Sequence, residues 1–162
     1  MIKKIKLDES VNLCSSEIYN SIAILGYMCT LASNDLHHIH LCAEGDKFQE
    51  IHKDAEDYMS RVRELGDFCF ELAKEGNIEL VNETFAGNVL KQNGYDWIVE
   101  EDNSYYFTEA YEAISRILSD LCDQIVQIQE MPEITSDISS ELDVYLREFS
   151  KAVNYFIDKK LR

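Results

Sequence analysis

Only one proline (Pro132) and six glycines punctuate the 162 residues of this chain. Proline and glycine are the strongest local interrupters of a regular backbone, so their scarcity favours long uninterrupted helices over a turn-rich β-sandwich. The apolar spacing agrees. A first helix is expected to begin near Asp8 or Ser10, either a good N-cap, and to run to about Cys42. Val11, Ile18, Ile22, Leu25, Cys29 and Leu36 recur along it at helical spacing. Gly45 breaks it, and Asp46 can cap a second helix from Asp46 to Lys74 whose stripe is Phe48, Ile51, Ala55, Tyr58, Val62, Leu65, Cys69 and Leu72. Gly76 and Asn77 supply its stop. The pattern weakens from 78 to 104, where Thr84 to Gln92 reads as a short helix. A third long helix is predicted from near Thr108, with Ser104 as a cap upstream, to the Met131-Pro132 break. A fourth begins near Thr135 or Ser136 and carries Ile138, Leu142, Tyr145, Phe149, Val153 and Phe156 almost to the terminus.

The expected class is therefore all-α and one domain, residues 1–162, large enough for a sizeable core. Connections that are short, long and short make the second and third long helices parallel, as in ferritin-like four-helix bundles. The formal charge of −16 opposes broad DNA binding, so such binding is expected to be weak or absent, and favours cations. Lys3, Lys4 and Lys6 at one end and Lys159, Lys160 and Arg162 at the other are the places where an anionic partner could touch. Five cysteines with no C-x-x-C pair read as reduced, mostly buried thiols rather than a soft-metal site. Neither a signal peptide nor an apolar stretch long enough to span a membrane is visible, so a cytoplasmic protein is expected.

His40, His52, Glu56, Asp67 and Glu71 are separated by gaps of twelve, four, eleven and four. His52 and Glu56 are one helical turn apart, as are Asp67 and Glu71, and both pairs share a broad face of the second helix. At ~1.5 Å per residue His52 and Asp67 are roughly 22 Å apart, too far for one metal ion. Two copies of the helix packed antiparallel about a two-fold axis near Arg61 and Val62 would bring the His52/Glu56 end of one chain against the Asp67/Glu71 end of the other. His40 can reach the His52 end of its own chain. Two imidazoles and three carboxylates without thiolate suit iron(II).

The stretch HLCAEGDKFQEIH, with Gly45 five and Phe48 eight residues after His40, resembles the core motif of the Dps family of mini-ferritins. Glu56 stands where that family more usually has Asp, and Asp67 and Glu71 match its Asp-x-x-x-Glu pair, over about 32 residues in all. The resemblance implies a ferroxidase centre with His40, His52 and Glu56 from one subunit and Asp67 and Glu71 from its partner. It further implies iron(II) oxidation by peroxide or oxygen, iron storage, and a twelve-subunit homo-oligomeric cage. Leu41 replaces the tryptophan usual after the first histidine, and Leu72 the basic residue usual after the last glutamate. His37 and His38 have no counterpart role and read as surface or interface residues, with auxiliary iron ligands as the sharper alternative. The competing functions are an inactive structural or interaction bundle and a site for another divalent metal.

Overall fold

The periodicities of the sequence become five α-helices in a computed structural model that describes residues 17–97 and 103–162. They are α1 (Glu17–Leu41), α2 (Phe48–Glu75), α3 (Glu83–Gln92), α4 (Phe107–Gln129) and α5 (Ser136–Tyr155), followed by a π-helical turn, Phe156–Lys160. No strand occurs among the described residues; the one β-like feature is an isolated parallel bridge between Ala43 and Tyr105. The class is all-α. The expected start of the first helix at Asp8 or Ser10 lies outside the described residues, as do Val11, Cys14, Lys3, Lys4 and Lys6.

α1 is the most deeply sequestered element. Its exposed positions are Glu17, Asn34, His37 and Leu41, and it packs on α2, α4 and α3. Ile22, Leu25, Met28, Leu36 and Ile39 are fully enclosed; each such side chain stabilises the fold by roughly 1.5–3 kcal/mol. α1 and α2 approach closely because Gly66 has no side chain: a Cβ there would lie 3.1 Å from the Cβ of Cys29. The stripes of α4 and α5 face inward as expected, with Ile114, Ile117, Leu121, Ile125, Leu142 and Phe149 fully buried.

The helix boundaries depart from the expected ones at two caps. α2 begins at Phe48, and Lys47, which makes no side-chain capping bond, takes the place expected for Asp46. Phe48 is 47% exposed, so it stands outside the apolar stripe. α4 is preceded by Tyr106, again without a side-chain cap, in place of Ser104. Where local chemistry does operate it is visible. The Asn82 side chain accepts from the backbone N–H of Thr84 and Phe85, at 2.9 and 3.2 Å, and starts α3. Thr135 accepts from Ile138 at 3.4 Å and starts α5.

Two contacts fix the helix directions. Glu44 donates its N–H to the Tyr105 carbonyl at 2.9 Å, and Tyr105 donates to Cys42 at 2.7 Å. The Tyr111 hydroxyl donates to Asp54 at 2.5 Å. The first turns of α2 and α4 therefore lie at one end of the molecule, and the long connection carries the chain back along its length. Trp97 in that connection is anchored to α4, donating its indole N–H to Asp120 at 2.7 Å while Arg116 donates to the Trp97 carbonyl at 3.1 Å. The C-terminal basic residues are not all available to a partner: Lys160 pairs with Glu50 and lies 5.5–5.9 Å from the ring centres of Phe107, Tyr111 and Tyr155. Burial lowers its pKa. Cys29, Cys69 and Cys122 are buried free thiols and Cys42 is half-buried and free. No helix of the described residues is long and apolar enough to cross a membrane.

Candidate metal centre

α1 ends at Leu41 and α2 begins at Phe48, joined through Gly45, whose φ of +90° is a backbone conformation that side chains with a Cβ rarely adopt. The reversal sets the last turn of α1 beside the first turn of α2, and His40 beside His52. The two rings stack with centroids 3.6 Å apart and planes 23° apart. Each Nδ1 lies 2.9 Å from the other histidine's backbone carbonyl. A carbonyl oxygen can only accept, so both Nδ1 atoms carry protons, and in the neutral imidazole that tautomer leaves Nε2 with its lone pair. This is the arrangement in which imidazoles serve as metal ligands, with the second nitrogen holding tautomer and ring orientation.

Glu56, one turn after His52, completes the group: ligand atoms of His40, His52 and Glu56 all lie within 4.8 Å of one another. Ligand atoms sharing one ion at ~2.0–2.2 Å stand roughly 3–3.5 Å apart, so closing the group around a divalent ion requires the two rings, stacked at 3.6 Å, to part. Glu56 and His52 are exposed and His40 is half-buried.

Asp67 and Glu71 are not part of this group. Both are exposed, three to four turns further along α2. Asp67 borders a polar hollow between α1 and α2 with Thr30, Ser33, Asn34, Arg63 and Glu83. The chain thus brings together three of the five candidate residues and keeps two apart, as the helix rise required.

The axis expected near Arg61 and Val62 needs a correction in its side chains. Val62 is completely buried in its own core, and Arg61 is turned to Glu64, Glu148 and the Tyr145 ring. Hydrogen bonds donated by Arg61 to Glu148 hold the Arg61 pKa well above its ordinary value. The exposed face instead carries His52, Glu56, Ser60, Arg63, Asp67 and Glu71, which fall within about 100° of arc at ~3.6 residues per turn. Ser60 and Arg63, not Arg61 and Val62, stand at the middle of that stripe.

The other histidines divide. His38 sets its ring edge against Tyr105, with Cys42 Sγ 3.9 Å from its Nδ1. His37, read from sequence as a surface residue, is exposed but stacks on His40 with centroids 5.9 Å apart and planes 23° apart. Its i, i+3 spacing from His40 was the available signal. The Tyr111–Asp54 bond behind the centre had none, because the partners are 57 residues apart.

Solved structures share this fold. Antigen TpF1 from Treponema pallidum superimposes with a TM-score of 0.75 at 19% identity, covering 90% of this chain and 91% of that one. CAIP from Helicobacter cinaedi does so with a TM-score of 0.75 at 15% identity, covering 90% and 100%. No family model matches the chain, and no curated protein does. Membership of the Dps family, expected from the motif, is therefore not upheld: no model of any family matches, and the neighbours, which are antigen TpF1 and CAIP, share fold alone at these identities. The physical reason is the narrowness of the signal, since a His40-to-Glu71 spacing is set largely by one helical hairpin and is compatible with a chain divergent everywhere else.

Proposed function

We propose that this protein is a ferroxidase-type oxidoreductase, oxidising iron(II) with peroxide or oxygen at sites shared between two copies of the chain, on a ferritin-like helical bundle. One observation carries the reading. His52 and Glu71, and likewise Glu56 and Asp67, are symmetric about the same point on α2, and all four lie on its exposed stripe. Two such stripes packed antiparallel set His52 opposite the partner's Glu71 and Glu56 opposite the partner's Asp67. The same operation sets Arg63 opposite the partner's Ser60.

The donor set suits the chemistry. Two neutral imidazoles and three carboxylates supply hard and borderline ligands for iron(II) as substrate, and added carboxylate charge stabilises the oxidised ion over the reduced one. His40 and His52 offer their Nε2 atoms to the ions once the stacked rings part. Glu56, exposed and with its arm longer than that of aspartate, can follow a change in ligand distance. Each iron(II) gives up one electron; peroxide accepts two electrons and two protons and leaves as two waters. Storage of the product requires a closed homo-oligomeric shell of these dimers, whose size native mass measurement reads directly.

Complementation tests the sharing. His52→Ala and Asp67→Ala homodimers should each be inactive. Co-expressed, they form mixed dimers in which one site is doubly broken and the other intact, so random pairing restores about a quarter of wild-type activity. No restoration, with mixed dimers demonstrated by mass, would sink the shared site.

A further inference from the structure

Three of the four histidines form one row: His37, His40 and His52, with successive ring centroids 5.9 and 3.6 Å apart and interplanar angles of 23° at both steps. The row starts at exposed positions of α1 and ends beside Glu56. We propose that His37 joins His40, His52 and Glu56 to hold a zinc-class divalent ion within a single subunit. This rests on the reading of His40, His52 and Glu56 as metal ligands, and it adds a ligand and an ion to it.

The spacing supports the extra ligand. Two imidazoles on one ion, each with a metal–nitrogen bond of ~2.1 Å, place their ring centroids roughly 5–6 Å apart. The His37 and His40 ring centroids already stand at that distance, while the ligand atoms gathered within 4.8 Å are those of His40, His52 and Glu56, so His37 joins by turning toward them. His40 and His52 stack closer than a shared ion allows, so loading parts these two rings and draws the row into a cluster. Cost is low on the His37 side, because its ring is exposed, and Leu36 and Ile39 beside it are buried and hold the helix in place. The remaining histidine is unsuited, being turned to Tyr105 and Cys42.

Ligand chemistry then divides two ions between two states of the protein. Three imidazoles and one carboxylate form a four-coordinate set that favours zinc or cobalt(II). Addition of the partner's Asp67 and Glu71 makes the set richer in oxygen and higher in coordination number, which favours iron. A zinc-class ion bound through His37 therefore competes with iron, and needs no residue from the partner.

Cobalt(II) is the probe, because a tetrahedral site gives intense visible absorption. The full-length protein and its His37→Ala, His52→Ala and Asp67→Ala variants are titrated with cobalt(II) alone, circular dichroism confirming the fold of each. Wild type and Asp67→Ala should show the tetrahedral band. His37→Ala should lose the band and bind at least ~10-fold more weakly, and His52→Ala should not bind. An unchanged band and affinity in His37→Ala, with binding abolished in His52→Ala, would overturn the role of His37 and leave the His40/His52/Glu56 reading intact. Unchanged binding in both variants would overturn the two together, and loss of the band in Asp67→Ala would show that the ion needs the partner.

Discussion

The two ends of the exposed stripe on α2 carry the same kinds of residue and differ in what surrounds them. At the first end, His52 is met by His40 from α1, each Nδ1 is bonded to a carbonyl at 2.9 Å, and Glu56 stands within reach of both. At the other end, Asp67 and Glu71 project from the same helix with no histidine beside them, Asp67 at the margin of a polar hollow. A single chain therefore organises ligands at one end and offers only carboxylates at the other. Under the proposed function the difference makes binding and turnover separable: the first end would hold an ion, and oxidation would await the second end of another copy.

Removing ligands end by end gives the largest expected effects. Glu56→Ala should weaken divalent-ion binding at least ~10-fold, as even loss of an outer-shell partner commonly does, and should abolish iron oxidation. Asp67→Ala should abolish oxidation while retaining a bound ion at the His52 end. Calorimetric titration beside stopped-flow oxidation separates the two. Equal loss of binding in both variants would break the comparison.

Next comes the support behind the first end. Tyr111 donates to Asp54, which lies on α2 between His52 and Glu56, and burial followed by the Asp54 contact pushes the tyrosine pKa far up. Tyr111→Phe leaves the carboxylate without that donor, at a cost of ~1–3 kcal/mol. Thermal unfolding should move down by roughly 3–10 °C, with no comparable loss from Asp67→Ala.

A pH test far from both ends serves as contrast. Burial raises the Asp120 pKa, which the Trp97 hydrogen bond only partly opposes. The folded state holds that proton more tightly than the unfolded chain does, so its contribution to stability declines as pH rises from about 4 through the raised value. Asp120→Asn keeps an acceptor for Trp97 and removes this contribution. The Tm difference, variant minus wild type, should grow as pH rises through the acidic range. A difference that shrinks with rising pH would contradict the burial argument.

The smallest effect belongs to the middle of α2. Arg61 bonds Glu148 through Nε at 2.8 Å and lies 4.7 Å from the Tyr145 ring centre. Its partly exposed ion pairs are worth at most ~1 kcal/mol. Arg61→Ala should shift chemical denaturation slightly and leave iron oxidation unchanged. A large loss of activity would mean that Arg61, rather than Ser60 and Arg63, faces the second copy.

Much of this was legible in residue order because it is helical and local. The stripes of α2, α4 and α5, the stop at Gly76–Asn77 and the break at Met131-Pro132 follow from backbone periodicity and dihedral preference. Spacing alone also separated His52 from Asp67 and joined it to Glu56. What escaped was tertiary. Phe48 fits the apolar period yet is exposed, because period cannot say where a helix face leaves its core. Val62 fell at the arithmetic centre of the stripe yet points inward, because height along a helix and direction around it are independent. His37 could be paired with His40 by spacing, but the 5.9 Å stack depends on side-chain rotation that no period encodes.

The reciprocal His40–His52 pairing sits wholly within one helical hairpin, and that bears on the order of events when the protein is made. Closing a loop of about ten residues takes ~10–100 ns, and local contacts form ahead of distant ones. The hairpin can thus complete its imidazole pair before the long connection returns the chain to α4, and well before two copies meet. Intramolecular steps are independent of concentration; the meeting of copies is not. In refolding mixtures, cobalt absorption should develop at a rate unaffected by dilution, while iron oxidation should appear more slowly as the protein is diluted. A newly made chain would then sequester an ion first and acquire oxidising power only on assembly, so that electron transfer is withheld until copies have met.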